Sequence, residues 1–186
     1  MTTILNNEVS REVAKIVLKA KYPNLIMVSP DSSPLVIAAK NIRAELKAAY
    51  PGVKFSVRVE RFSMGNAIRV GWTDGPNTAQ VDSIVTKYKA GSFNGMEDIY
   101  EYKRTDWKDA FGSAKYITTS RGRSESLIES AIAIVSKRYG AEPISVEEYK
   151  KGAAWRWMLP GSAVNLGEEL NITLTKLSRS LPAKGA

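Results

Sequence analysis

Two short segments of the chain alternate strictly between apolar and polar side chains, and this pattern restricts the fold more than any other. From Lys54 to Arg61, Phe55, Val57 and Val59 fall on one face and Lys54, Ser56, Arg58 and Glu60 on the other. Beyond the turn signal Met64-Gly65-Asn66, Ile68, Val70 and Trp72 repeat the pattern, with Arg69 and Gly71 opposite. The pair reads as an antiparallel hairpin with one apolar and one basic face. Because each strand offers a single apolar face, helices packed on that face are the economical cover.

Helical spacing supplies such a cover on both sides of the hairpin. Ser32 or Ser33 as cap and Pro34 in the first turn open a helix that runs to about Ala49, with Leu35, Ala38, Ala39, Ile42, Leu46 and Ala49 as its buried stripe. Tyr50-Pro51-Gly52 ends it. After the Thr73-Asp74-Gly75-Pro76 turn, Asn77 or Thr78 caps a helix to about Lys89 with Val81, Ile84, Val85 and Tyr88 inward. Phe93 to Met96 reads as a loop and Ile99 to Tyr102 as a third strand. The expected class is therefore α+β: a small antiparallel sheet with helices on one face, in the order α-β-β-α-β, over residues 31–103.

Residues 1–30 read as an N-terminal amphipathic helix and linker. Val9, Val13, Ile16 and Val17 recur at helical spacing, Asn7 is available as N-cap, and Arg11, Lys15, Lys19 and Lys21 form the wet side. Leu25 to Val28 is either an edge strand or a packed linker. Residues 104–186 read as a mainly helical extension packed on the core. Lys115 to Thr119 is a candidate strand, Ser126 to Glu129 resembles a capping box opening a helix that Gly140 ends, and Ser145 to Glu148 resembles a second box. A last helix is expected from Gly167 to Leu181, with strand an open option at Asn171 to Thr175, and a disordered tail from Pro182.

The 186 residues include neither cysteine nor histidine, which excludes zinc fingers, Fe–S clusters, disulfides and every nucleophile that relies on an imidazole base. Glu97, Asp98 and Glu101, near Asp106 and Asp109, are the densest acidic group, but they lack a two-metal spacing, and a solvated loop balancing Lys103, Arg104 and Lys108 accounts for them. No cofactor, metal or catalytic residue is expected. Glu8 and Arg11 interrupt the only candidate signal sequence, and Leu127 to Val135 is too short to span a membrane, so a cytoplasmic protein without membrane contact is expected.

Charge is the remaining lead. Lys and Arg number 27 against 19 Asp and Glu, a net charge of +8, of which residues 1–93 carry 13 basic and 7 acidic side chains. Such a balance serves either solubility or attraction to phosphate. Antiparallel pairing sets Lys54, Arg58 and Arg69 on one sheet face, where neighbouring arginines can grip phosphates bidentately, unless the face is merely solvated or is covered by the C-terminal half. Arg121 and Arg123 flank Gly122 before a helix and form a second candidate anion contact. Trp155, Arg156 and Trp157 have the composition of interface hot spots and base-stacking surfaces; burial of at least one tryptophan in the core is the alternative.

Four blocks carry a more specific signal: Ile42 to Lys47, Tyr50 to Arg58, Gly65 to Pro76, and Phe93 to Asp98. In order and spacing they resemble the large polyvalent protein-associated domain family twenty-nine over residues 38–103, with Tyr50 in place of a phenylalanine and Asn94 in place of an aspartate. The resemblance implies an origin in a phage or conjugative element and brings no catalytic residues with it. Proteins of that setting accompany incoming DNA or blunt host defences. The expected role is thus a non-enzymatic counter-defence protein, of anti-CRISPR or anti-restriction type, that binds a host nucleic-acid-handling complex. The alternative is an accessory protein that binds nucleic acid directly. Positive charge argues against mimicry of DNA.

Overall fold

The structure, a computed structural model, describes residues 2–180, with side chains from 9 to 177. The tail expected from Pro182 lies outside the described residues. In chain order the elements are α1 (Thr2–Lys21), α2 (Pro34–Ala49), β1 (Ser56–Phe62), β2 (Gly65–Thr73), α3 (Thr78–Val85) with a 3-10 turn at Thr86–Tyr88, β3 (Gly91–Asn94), β4 (Ile99–Tyr102), α4 (Asp106–Phe111), β5 (Tyr116–Gly122), α5 (Glu125–Tyr139), α6 (Val146–Lys150), a 3-10 turn at Ala153–Arg156, and α7 (Leu166–Ser180). The class is α+β. The chain divides into two compact units, Met1–Gly71 with Thr78–Ser120, and Trp72–Asn77 with Arg121–Ala186.

In the first unit β1 and β2 pair antiparallel as the alternation requires, Val57 opposite Val70 and Val59 opposite Ile68. The third strand of this sheet is β5, in the order β1-β2-β5, whereas Ile99–Tyr102 pairs with Gly91–Asn94 in a separate hairpin. β5 runs parallel to β2, because bonded positions rise together: the Lys115 N–H donates to Asn66 Oδ1 at 2.9 Å and the Asp74 N–H to the Gly122 carbonyl at 3.0 Å. The sheet is therefore mixed rather than wholly antiparallel. A parallel neighbour needs a long crossover, and the chain from α3 to α4 supplies it. Thr119 Oγ1 donates to Asp82 Oδ1 at 2.8 Å and ties β5 to α3.

The apolar face of the hairpin meets α2, whose observed bounds coincide with those expected. Ile42, Leu46, Ile68, Val70, Val81, Val85 and Tyr88 are all buried in this core, while Ala49 is exposed. Pro34 opens α2, but the Ser33 side chain caps nothing; its hydroxyl accepts from Arg61 at 3.2 Å instead. Asn41, 1% exposed, replaces a sheet partner for the Leu25–Val28 segment. Its side chain accepts from the Ile26 N–H at 2.7 Å and donates to the Ile26 carbonyl at 2.8 Å and the Phe111 carbonyl at 3.1 Å. That segment is a packed linker.

Helix α1 starts at Thr2, so Asn7 lies within it rather than capping it. Its orientation also departs from expectation. Val9, Val13, Ile16 and Val17 are 53–68% exposed, and Lys15 and Lys19 are half-buried. Lys19 holds this arrangement by donating to the carbonyls of Pro23 and Leu25, both at 2.8 Å, beyond the helix end.

The second unit is built on Ile128, Ile132, Val135, Ile144, Leu159, Leu166, Leu170 and Leu174. Its α5 is capped by Ser124, which accepts from the Leu127 N–H at 3.2 Å, two residues before the expected box, and ends at Gly140 with φ 61. The Ser145–Glu148 box forms in both directions. Asn171 to Thr175 is helical, within α7. Among the described residues no helix is long and apolar enough to cross a membrane.

Candidate nucleic-acid interface

The hairpin register places Arg58 directly opposite Arg69, Glu60 opposite Ala67 and Phe62 opposite Gly65. Residues paired across an antiparallel ladder share a face, so Ser56, Arg58, Glu60, Phe62 and Arg69 lie together on the face turned away from α2. Arg58 and Arg69 are exposed. Arg69 Nε donates to Glu60 Oε1 at 2.7 Å, whereas Arg58 has no ion pair or hydrogen bond among the described residues. Lys54, also exposed, sits two residues before β1. The sheet thus brings Arg58 and Arg69 onto one solvated face, with Lys54 exposed just ahead of it.

From Phe62, at the end of that face, a run of aromatic rings leads by way of Tyr116 to the β3–β4 hairpin and the start of α2. Phe62, 47% exposed, stacks on Tyr116 with ring centroids 6.2 Å apart and planes inclined by 24°. Tyr116 meets Tyr100 at 5.5 Å, and Tyr100 meets Tyr102 at 4.9 Å, both edge to face. The Tyr100 hydroxyl donates to the Lys115 carbonyl at 2.5 Å, which fastens the β3–β4 hairpin to the start of β5. Lys115 Nζ stands 5.1 Å from the Tyr100 ring centre and 5.5 Å from that of Tyr116, and donates to the Met64 carbonyl at 3.0 Å. The run ends at Tyr102, 69% exposed.

Two open clefts adjoin Tyr102 and share it as a wall. One, of about 500 Å³, opens beside the start of α2 and is lined by Ser33, Pro34 and Leu35 together with Arg61, Phe62 and Lys115. The other, of about 710 Å³, carries five cations, Arg11, Lys15, Lys103, Arg104 and Lys108, against two carboxylates, Glu12 and Asp109. Both carboxylates are engaged, Glu12 by Lys15 at 2.6 Å and Asp109 by Arg104 at 2.8 Å, leaving an excess of positive charge. Burial, then the nearby Lys103 charge, lowers the pKa of Lys108, whose ammonium donates to the Ala90 carbonyl at 3.2 Å and to that of Lys103. By sequence the first unit holds 17 basic and 11 acidic side chains and the second 10 and 8.

The remaining candidates lie in the second unit and are engaged differently. Arg123 donates to the Tyr149 hydroxyl at 2.9 Å and to Asn171 Oδ1 at 2.7 Å, joining α6 to α7. Arg121 Nε donates to the Asp74 carbonyl at 3.1 Å, and its Nη2 is shut from solvent without a hydrogen-bond partner. Burial, with Arg123 adding to it, lowers the Arg121 pKa against the opposing pull of Asp74. These two guanidinium groups serve the interior of their unit. Trp155 and Trp157 are 55% and 45% exposed, so neither is a core plug; the short 3-10 turn buries Ala154 instead. The Trp155 ring lies over Gly167, where a Cβ would stand 2.7 Å from a ring carbon. Arg156 between them is exposed.

An α+β domain whose mixed sheet leaves one basic, aromatic face in solvent defines the class of this protein. Residues 35–124, just under half of the chain, match the family model of large polyvalent protein associated domain 29. The domain associates the chain with proteins of phages and mobile elements. The match takes in all five strands and the aromatic run, but neither α1 nor Trp155 to Trp157. No curated protein and no solved structure gives a significant match.

Proposed function

We propose that the chain is a non-enzymatic nucleic-acid-binding protein of a phage or mobile element, and that its binding surface is the open sheet face with the adjoining clefts. The observation that carries this reading is the coincidence of exposed cations and rings on one unit: Arg58 and Arg69 on the sheet face that ends at Phe62, and Lys115 against Tyr100 and Tyr116, with Tyr102 exposed beyond them. Phosphate contacts supply affinity through counterion release, and rings supply stacking area that tolerates any base. The test is fluorescence anisotropy of a labelled oligonucleotide titrated with the nuclease-treated protein at several salt concentrations. Binding that weakens with a log–log salt slope of about −3 is expected for roughly four or five phosphate contacts. Absence of binding at low salt contradicts the proposal.

A second reading, binding to a host nucleic-acid-handling complex as a counter-defence protein, rests on the exposed Trp155, Trp157 and Met158 around Arg156 in the second unit. Recovery of a defined host complex that survives nuclease treatment and is lost in Trp155→Ala favours it. Recovery of nucleic acid alone favours the first.

A further inference from the structure

We infer that the strand taken by this surface is single-stranded, its bases lying on the Phe62/Tyr116 stack and on Tyr102 while its phosphates follow the cationic clefts. The inference rests on the nucleic-acid reading and adds the substrate class. Two features select an unpaired strand. First, Phe62 and Tyr102 are 47% and 69% exposed, so each leaves ring area free for stacking. A base inside a duplex has both faces covered by its neighbours and presents only its edges, so a ring of this kind gains area from a splayed base alone.

Second, the cations are placed for a flexible backbone rather than a rigid rod. The two clefts meet at Tyr102, with Arg61 and Lys115 on one side and Arg11, Lys103 and Lys108 on the other. A strand crossing the Tyr102 ring passes from one cluster to the other. Lys108 is already partly desolvated and lies close to Lys103, so an entering phosphate relieves the repulsion between two ammonium groups. Tyr100 organises the run without needing to touch the ligand, since its half-buried ring abuts Tyr116 and Tyr102 and its hydroxyl is held by the Lys115 carbonyl.

The experiment compares the full chain with Tyr102→Ala and Phe62→Ala in anisotropy titrations against a labelled oligothymidylate, its oligouridylate counterpart, and a DNA duplex of equal length. Both positions are exposed, and circular dichroism checks that each variant keeps the wild-type fold. The wild-type chain is expected to prefer single strands over the duplex by at least about tenfold, and each variant to lose about 5- to 100-fold on the single strands, a larger loss than on the duplex. The DNA and RNA arms distinguish the source of the strand. Equal affinity for single strand and duplex, or single-strand affinity unchanged in both variants, overturns the inference and leaves nucleic-acid binding standing. Failure to bind any of the three removes both.

Discussion

Arg58 stands directly opposite Arg69 across the β1–β2 pair, and of the two only Arg69 has a carboxylate, Glu60, at bonding distance among the described residues. Like charges in opposed positions oppose pairing by about 0.2–1 kcal/mol, so the sheet itself gains nothing from this arrangement. Arg58→Ala is accordingly expected to leave thermal stability unchanged or slightly raised, while making the salt slope of binding shallower by about 1. An intact slope in a folded Arg58→Ala protein would place the phosphate contacts elsewhere.

Glu60 moderates the same face. Its ion pair with Arg69 is solvent-exposed on both sides, a geometry that contributes about 0–1 kcal/mol to folding. Glu60→Gln releases Arg69 for a phosphate and is expected to tighten oligonucleotide binding by about two- to fivefold at low salt, with the gain fading as salt rises. Weaker binding by this variant contradicts a cationic role for Arg69.

Asn41 is a structural device rather than part of the surface. Replacing it by leucine removes three hydrogen bonds and leaves the Phe111 carbonyl without this donor in a buried environment and the Ile26 N–H and carbonyl without these partners in a partly buried one. A loss of about 2–3 kcal/mol is expected, read by chemical denaturation, with the linker at Leu25–Val28 becoming the first segment to exchange its amide protons. A stability within error of wild type would show that the linker is held by other means.

Tyr88 predicts how the first unit responds to alkali. Its buried hydroxyl donates to Glu45 Oε2 at 2.6 Å, and Lys87 reaches Oε1 at 2.5 Å. Burial first, then the bond and charge of Glu45, push the tyrosine pKa far above its ordinary 10.0. A raised folded pKa stabilises the protein fully below about pH 10 and is lost progressively above it, as the unfolded chain releases a proton the native state retains. Melting temperature is expected to fall above about pH 10, and to fall less steeply in Tyr88→Phe, which starts lower because Glu45 loses a donor. Parallel alkaline curves for the two proteins would contradict this.

Elements specified by local chemistry were legible in the sequence. The 54–61 alternation, the Pro34 start of α2 and the Ser145 to Glu148 box each depend on residues within a few positions of one another, and the shared face of Arg58 and Arg69 follows from a short hairpin. What depends on distant partners was not. The aromatic run draws Phe62, Tyr100, Tyr102 and Tyr116 from three strands, and only tertiary pairing brings them together. β5 was visible as a strand, but its place beside β2 follows from a parallel crossover that periodicity does not encode. α1 was legible as an amphipathic helix, but not for the side it turns inward, because Lys19 satisfies the carbonyls of Pro23 and Leu25 and draws its own flank toward the body. Arg121 and Arg123 read as free cations for the same reason: their acceptors, Asp74, Tyr149 and Asn171, lie 26 to 48 positions away.

The most direct test of the central claim is amide chemical-shift mapping of the isotope-labelled chain during titration with a short oligothymidylate. Shifts concentrated at residues 56–62, 65–71, 100–103 and 115–120 are predicted, with the strongest at Phe62 and Tyr102. Shifts confined to residues 121–177, around the exposed tryptophans, would contradict the assignment of the sheet face as the binding surface.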